Sequence, residues 1–208
     1  MVDGNPQGQN PYVFGYGSLI WNPGFPFVHS ERALLRGAHR SLSIYSHRHR
    51  GTPERPGLVF GLSRGGSCIG VAFEVAADNW PGVFDYLQDR EQDRGVYRQT
   101  WREVTLLGGK RVRALTYLVD ENHPQFAGRL SIPEQVVLVQ QGRGESGRNT
   151  EYVRNTAKHL ISLGIRDRTL ELIVAALDGD ETLMVPSACE KPAWPTANST
   201  RVCTGSSS

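Results

Sequence analysis

The sequence predicts an α+β fold: a small mixed β-barrel packed against helices. Three observations carry that expectation. Short apolar, strand-like runs fill the chain from residue 12 to residue 119, and helical spacing takes over after residue 132. This order, strands first and helices later, is the signature of segregated layers rather than of alternating βαβ units. The length, 208 residues, suffices for one compact core and falls short of two typical ones.

The elements follow in order. Tyr12 to Gly15 is a short buried strand, closed by the turn Gly15-Tyr16-Gly17-Ser18. Trp21 to Phe27 holds Pro23, Gly24 and Pro26 and reads as a loop. Strands are expected at Leu42–Tyr45, Gly57–Leu62 and Ser67–Val75, with Gly65-Gly66 as a hairpin turn between the last two. Asn79 to Glu91 reads as a helix. Val96–Leu107 and Arg111–Val119 read as strands joined at Gly108-Gly109; in the second, Val112, Ala114, Thr116 and Leu118 share one face, and Arg111, Arg113, Leu115 and Tyr117 the other. Three helices follow at Pro133–Gln141, Asn149–Leu163 and Asp167–Leu177. The expected organisation is a flexible lead over residues 1–10, one catalytic domain over 11–185, and an irregular Pro- and Gly/Ser-bearing tail over 186–208.

Composition narrows the function classes. A net charge of +2 gives no reason to expect a nucleic-acid partner. No run approaches the ~18 apolar residues of a membrane-spanning helix. Three scattered cysteines, Cys68, Cys189 and Cys203, make neither a disulfide framework nor a zinc ribbon. The opening residues lack the basic start and apolar core of a secretory signal. The expectation is a cytoplasmic protein.

One carboxylate stands out. In the Asn79–Glu91 helix, Trp80, Phe84 and Leu87 fall at steps of four and three, with Val83 beside them, and form an apolar stripe. Four residues beyond Leu87 the stripe arrives at Glu91, whereas Asp85 and Asp89 fall off it. A carboxylate in a partly buried place holds its proton more tightly, which suits it to proton transfer near neutral pH. Spacing alone also permits a structural ion pair with Arg90, Arg94 or Arg98. The glycine turn lacks a dinucleotide fingerprint and a P-loop. It is either a plain tight turn or one that offers backbone N–H groups and the Ser18 hydroxyl to an anion.

Four blocks of sequence carry a resemblance. They are Tyr12-Val13-Phe14-Gly15-Tyr16-Gly17-Ser18-Leu19-Ile20-Trp21; His49-Arg50-Gly51-Thr52-Pro53 with Pro56-Gly57; Leu87, Arg90-Glu91 and Gly95-Val96-Tyr97-Arg98; and Ser146-Gly147-Arg148-Asn149-Thr150-Glu151-Tyr152. In this order, over residues 12–163, they resemble the ChaC-like gamma-glutamylcyclotransferases, and the Trp21 and Ser146 blocks resemble the glutathione-specific branch. The stretch Gln92-Asp93-Arg94-Gly95-Val96 is longer than in the compact members. The resemblance implies a barrel-containing α/β fold, no metal or organic cofactor, a substrate-binding loop over Val13, Phe14, Gly15, Tyr16, Gly17, Ser18 and Leu19, and a catalytic glutamate at Glu91. The implied reaction converts glutathione to 5-oxoproline and Cys-Gly by intramolecular attack of the substrate amine, with Glu91 moving the protons and the N–H groups of Gly17, Ser18 or Leu19 facing the oxyanion.

Other residues keep two readings each. Tyr117 either holds the substrate's alpha-carboxylate or is a barrel-wall tyrosine. Arg50 either does the same or is a surface arginine. Asn149 either caps its helix or helps close the site, and the cap is the favoured reading. His47-x-His49 lacks a third ligand of clear spacing, so no metal site is expected. Cys68 reads as a small buried residue. The competing functions are a cyclotransferase for other gamma-glutamyl amines and a non-catalytic module that binds a carboxylate on the glycine turn. A carboxylate on the stripe speaks against the second, since an anion binder gains nothing from it.

Overall fold

The structure is a computed structural model and describes residues 9–91 and 95–179. Most of the expected N-terminal lead, the Gln92-Asp93-Arg94 segment and the whole expected tail lie outside these residues. Asn10, expected in the lead, is anchored: its amide donates to Glu74 (2.9 Å) and its carbonyl accepts from the Ala77 N–H (3.2 Å).

Five strands close into a barrel: β1 (Tyr12–Gly15), β2 (His29–Ser46), β3 (Gly57–Glu74), β4 (Tyr97–Leu106) and β5 (Arg111–Val119). Their order is β1-β3-β2-β4-β5, with a parallel β1–β5 pairing (Tyr12 opposite Ala114) closing the ring. Closure pairs each strand with a neighbour on both sides, although the first half of β3 extends beyond its pairing with β1. The long β2–β3 hairpin is its frame, running from His29↔Glu74 to Ser46↔Gly57.

That hairpin corrects the sequence-based expectation. Gly65-Gly66 is not a turn; β3 passes straight through it. One residue of β2, Gly37, faces the two glycines between the pairs Arg36↔Ser67 and Ala38↔Arg64. All three glycines have positive φ (83°, 88° and 69°), so the positive-φ signal that a hairpin turn would give here marks a bulge that bends both strands. The first two thirds of β2 were missed for a related reason. Ala33, Leu35, Ala38 and Leu42 are buried, but Gly37 breaks their alternation and Arg40 puts a charge between Ala38 and Leu42.

Four helices complete the described residues: α1 (Trp80–Glu91), α2 (Ile132–Gln141), α3 (Asn149–Ser162) and α4 (Arg168–Leu177), with a two-residue hairpin, β6 (Arg143–Gly144) and β7 (Gly147–Arg148), between α2 and α3. Ser131 and Glu134 form a capping box at the start of α2. Successive residues of the same strands feed two cores. Phe14 and Ala114 join the apolar faces of α2–α4, while Val13, Leu115 and Tyr117 join Trp80, Val83 and Leu87 of α1. The expected apolar stripe of α1 is therefore the face that packs on the barrel.

Candidate active site

α1 ends on Glu91 at the mouth of a cleft of about 550 Å³. The cleft is walled by the glycine turn, by the end of β2 with residues 47–50, by the start of β3, and by Tyr97 and Tyr152. The Glu91 side chain is 14% exposed, so the stripe delivers a carboxylate into a place with little water. Burial raises its pKa above the usual carboxylate value, and the neighbouring Arg90 offsets only part of the rise.

Arg90 was not singled out from the sequence. Its Nε lies 3.2 Å from the Glu91 carboxylate. Its other nitrogens donate to the Asn22 carbonyl (2.8 Å), the Pro23 carbonyl (3.2 Å), the Tyr86 hydroxyl (2.6 Å) and the Ser18 hydroxyl oxygen (3.0 Å). One guanidinium thus sews the end of α1 to the loop that follows the glycine turn. The ion pair foreseen for Glu91 exists, and the cleft position exists beside it.

Four tyrosines surround the carboxylate electrostatically. Burial first, and the Glu91 charge among the further causes, push up the pKa of Tyr16, Tyr97, Tyr117 and Tyr152, the last to about 12. They remain neutral hydroxyls at any working pH. Tyr97 donates to the Phe60 carbonyl (3.0 Å), and the Tyr152 oxygen accepts from the Phe60 N–H (3.2 Å). Tyr117 is 1% exposed and its hydroxyl has no hydrogen-bond partner among the described residues.

The glycine turn leads into a single 3-10 turn over Ser18–Ile20. Its own hydrogen bonds begin with the N–H of Ile20, which donates to Gly17 O (3.0 Å). The N–H groups of Ser18 and Leu19 stand before the first of these bonds, as leading N–H groups of any helical turn do. A Cβ on Gly15 would meet Leu19 Cβ at 3.0 Å and the Phe73 ring at 3.1 Å, so glycine is what lets the turn fold this tightly.

Of the residues expected to bind substrate, Tyr16, Gly17, Ser18, Leu19 and Arg50 line the cleft together with Glu91. Val13 and Phe14 are fully buried in the two cores, and Gly15 and Tyr117 stand behind the lining. Arg50 is no loose surface residue. Its guanidinium lies 5.1 Å over the Tyr152 ring, donates to the carbonyls of Ser146 and Arg148, and is partly desolvated, which lowers its pKa. Backbone bonds hold the loop that carries it, from Glu145 N–H to Arg48 O (2.9 Å) and from Ser146 N–H to His49 O (3.0 Å). Gly144 permits that approach, because a Cβ there would collide with the Arg48 carbonyl. His47 stacks on Tyr45, and His49 bonds Ser146 through Nδ1 (3.1 Å).

Asn149 overturns the expected cap. It is the first residue of α3, with Arg148 in the capping position, and it is wholly buried. Its side chain accepts from Leu58 N–H (2.6 Å) and donates to Leu58 O (2.7 Å), as a neighbouring strand would. Two residues along β3, Tyr152 serves Phe60 N–H. One turn of α3 thereby pairs the edge of β3 where that strand enters the cleft. The spacing Asn149–Tyr152 set against Leu58–Phe60 was the available signal, but the sequence does not show which strand faces the helix.

The ChaC-like protein family matches residues 11–179. The chain belongs to the ChaC-like family. Among relatives of this ChaC-like chain, it is 32% identical to the glutathione-specific gamma-glutamylcyclotransferase of Escherichia coli (strain K12), over 79% of this chain and 71% of that one. It is 34% identical to glutathione-specific gamma-glutamylcyclotransferase 1 of Mus musculus, over 84% and 80%. The crystal structure of a yeast gamma-glutamyl cyclotransferase specific to glutathione superposes with a TM-score of 0.76, covering 83% of this chain and 97% of that one at 22% identity, and so shares the fold. No described helix is long and apolar enough to cross a membrane.

Proposed function

We propose that this chain is a glutathione-specific gamma-glutamylcyclotransferase in which Glu91 moves the protons. The observation that carries the reading is the meeting, across one cleft, of a buried proton-holding carboxylate with a glycine turn whose leading N–H groups are free of the turn's own bonds. The relatives supply the substrate, and the cleft supplies the chemistry.

The substrate's alpha-amine titrates near ~8 and arrives protonated. Glu91 accepts one of its protons. The neutral nitrogen attacks the gamma-carbonyl carbon of the same molecule, which closes a five-membered ring without a second binding event. Oxyanion charge forms on the carbonyl oxygen opposite the N–H groups of Gly17, Ser18 and Leu19. As the bond from the gamma-carbon to the cysteine nitrogen breaks, Glu91 gives that nitrogen its proton. A second proton passes the same way from the ring nitrogen to the departing amine. The products are 5-oxoproline and Cys-Gly; no water is consumed.

Arg50, fixed over Tyr152 at the cleft wall, holds the alpha-carboxylate of the substrate. Tyr117 reaches the same group when the substrate fills the cleft, giving its unpartnered hydroxyl an acceptor. Val13, Phe14 and Gly15 act indirectly, as the buried base of the loop. We place the reaction in the cytoplasm, on the three scattered cysteines, of which Cys68 is a buried free thiol.

The test is incubation of the purified protein with reduced glutathione, following 5-oxoproline and Cys-Gly, with gamma-glutamyl-alanine in parallel. Equimolar release of both products from glutathione, with little turnover of the other peptide, is expected. Turnover of gamma-glutamyl-alanine alone would move the substrate, and no turnover of either would leave only a carboxylate-binding module.

A further inference from the structure

Arg40 lies outside the cleft lining, yet every nitrogen of its guanidinium is committed to the site's foundation. It sits on β2 with a side chain 4% exposed. Nε donates to the Tyr16 carbonyl (2.5 Å), one terminal nitrogen to the Asp167 carboxylate (2.8 Å), and the other to the Ile69 carbonyl (2.7 Å). Asp167 is in turn the N-cap of α4, accepting from Leu170 N–H (3.2 Å). A buried cation is thus anchored at two points and spends its third on one peptide of the glycine turn.

That peptide joins Tyr16 to Gly17 and is trans, since the described residues contain no cis bond. A trans peptide is planar, with its N–H antiparallel to its C=O. Holding the Tyr16 oxygen from behind the wall therefore turns the Gly17 N–H away from Arg40, and Gly17 lines the cleft. A full positive charge on the carbonyl oxygen also draws electron density along the amide and makes the N–H a stronger donor.

We infer that Arg40, held by Asp167, is a positioning residue for the reaction: it aims and polarises the Gly17 N–H that faces the developing oxyanion. The inference rests on the cyclotransferase reading. It makes α4, which contributes no residue to the cleft lining, part of the support for transition-state stabilisation.

A donor needed only in the transition state affects kcat more than KM. Arg40→Met is expected to lower kcat on glutathione by about 10²-fold, the loss typical of one oxyanion donor, with KM within about twofold. Arg40→Lys, which cannot reach three acceptors, recovers only part of this. Asp167→Asn keeps an oxygen to cap α4 but removes the charge partner of the buried guanidinium, so it is expected to melt below wild type yet fold, and to lose several-fold in kcat. In ¹H–¹⁵N spectra the Gly17 amide resonance is expected to move in both Arg40 variants, a readout that needs no turnover. A folded Arg40→Met with kcat within threefold of wild type overturns the inference. So does a Gly17 resonance that stays in place, or a kcat loss matched by an equal rise in KM. Absence of glutathione turnover by wild type instead removes the functional reading, and the Gly17 resonance still decides whether Arg40 sets that peptide.

Discussion

Replacing Glu91 by glutamine separates the chemistry at this site from its architecture. The amide has the shape of the carboxylate and can still accept from Arg90 Nε, now 3.2 Å from the acid. It cannot take a proton from the substrate ammonium or return one to the leaving nitrogen. Loss of a positioned acid–base group typically costs 10²–10⁴-fold, and in the proposed reaction the same group works at both ends, so a fall in kcat of about 10³-fold or more is expected. That is about 4 kcal/mol of barrier at ~1.4 kcal/mol per tenfold. The fold is expected to survive. Arg90 retains Asn22, Pro23, Tyr86 and Ser18 as acceptors. Because burial raises the Glu91 pKa, the folded state binds this proton more tightly than the unfolded state. That contribution to stability is full below the unfolded carboxylate pKa and is lost as pH rises through the folded value, so at pH 7 the charged group is a net cost. Glu91→Gln should accordingly melt no lower than wild type at pH 7, and any advantage should shrink toward acid. Wild-type kcat should fall as pH drops through the raised Glu91 pKa, a limb that lies above the usual carboxylate range. Product release followed by chromatography and thermal melts at several pH values measure all of this. A folded Glu91→Gln protein with wild-type turnover would refute the assignment.

Three further outcomes are expected. Tyr117→Phe removes a hydroxyl with no partner among the described residues, so the free protein should melt at or above the wild-type temperature, while KM for glutathione rises about tenfold if the hydroxyl meets a charged group; an unchanged KM would reduce Tyr117 to a barrel-wall residue. Arg50→Met should raise KM by about 10–100-fold, the worth of a charge-assisted hydrogen bond, with a smaller change in kcat; steady-state kinetics with KM near wild type would remove Arg50 from substrate binding. Asn149→Ala strips both Leu58 backbone groups of their partner in a buried place, at about 1–3 kcal/mol each, so a fall in Tm of roughly 5–15 °C by calorimetry is expected; a shift within 2 °C would show that the pairing contributes little.

The sequence exposed what short-range periodicity encodes and hid what depends on pairing. The alternation of Arg111–Val119 and the α1 stripe were legible because each repeats at the spacing of its own element. The hairpin of β2 and β3 was not, because Gly37, Gly65 and Gly66 interrupt the alternation where both strands bend. At the site, Glu91 was legible as a break in an apolar pattern. Arg90 was visible only as a pairing option for it, and Tyr97 and Tyr152 not at all as its neighbours, because those contacts join α1 to β4 and α3 across the cleft, and no local pattern records a meeting between distant segments. The error at Asn149 has the same origin. Its residue type fits a cap, but a buried amide that can accept and donate at once will take a strand's exposed N–H and C=O when the fold brings them near.

The coupling between core and chemistry follows from helix geometry. An α-helix turns by about 100° per residue, so residue 91, four beyond Leu87, continues the buried face. Asp89, two residues earlier, also reaches the cleft wall, but it lies off the packed stripe. Arg90, one residue earlier, lies on the flank of the stripe and runs sideways along the loop at Asn22 and Pro23 while still pairing with its neighbour. Trp80, Val83 and Leu87 pack against barrel residues that include Val13 and Leu115, and Val13 lies on the strand that leads directly into the glycine turn. The carboxylate and the N–H groups opposite it are therefore indexed to the same apolar cluster, from two different elements. Both are held by close-packed side chains, which is the preorganisation that the proposed proton transfer and oxyanion stabilisation require.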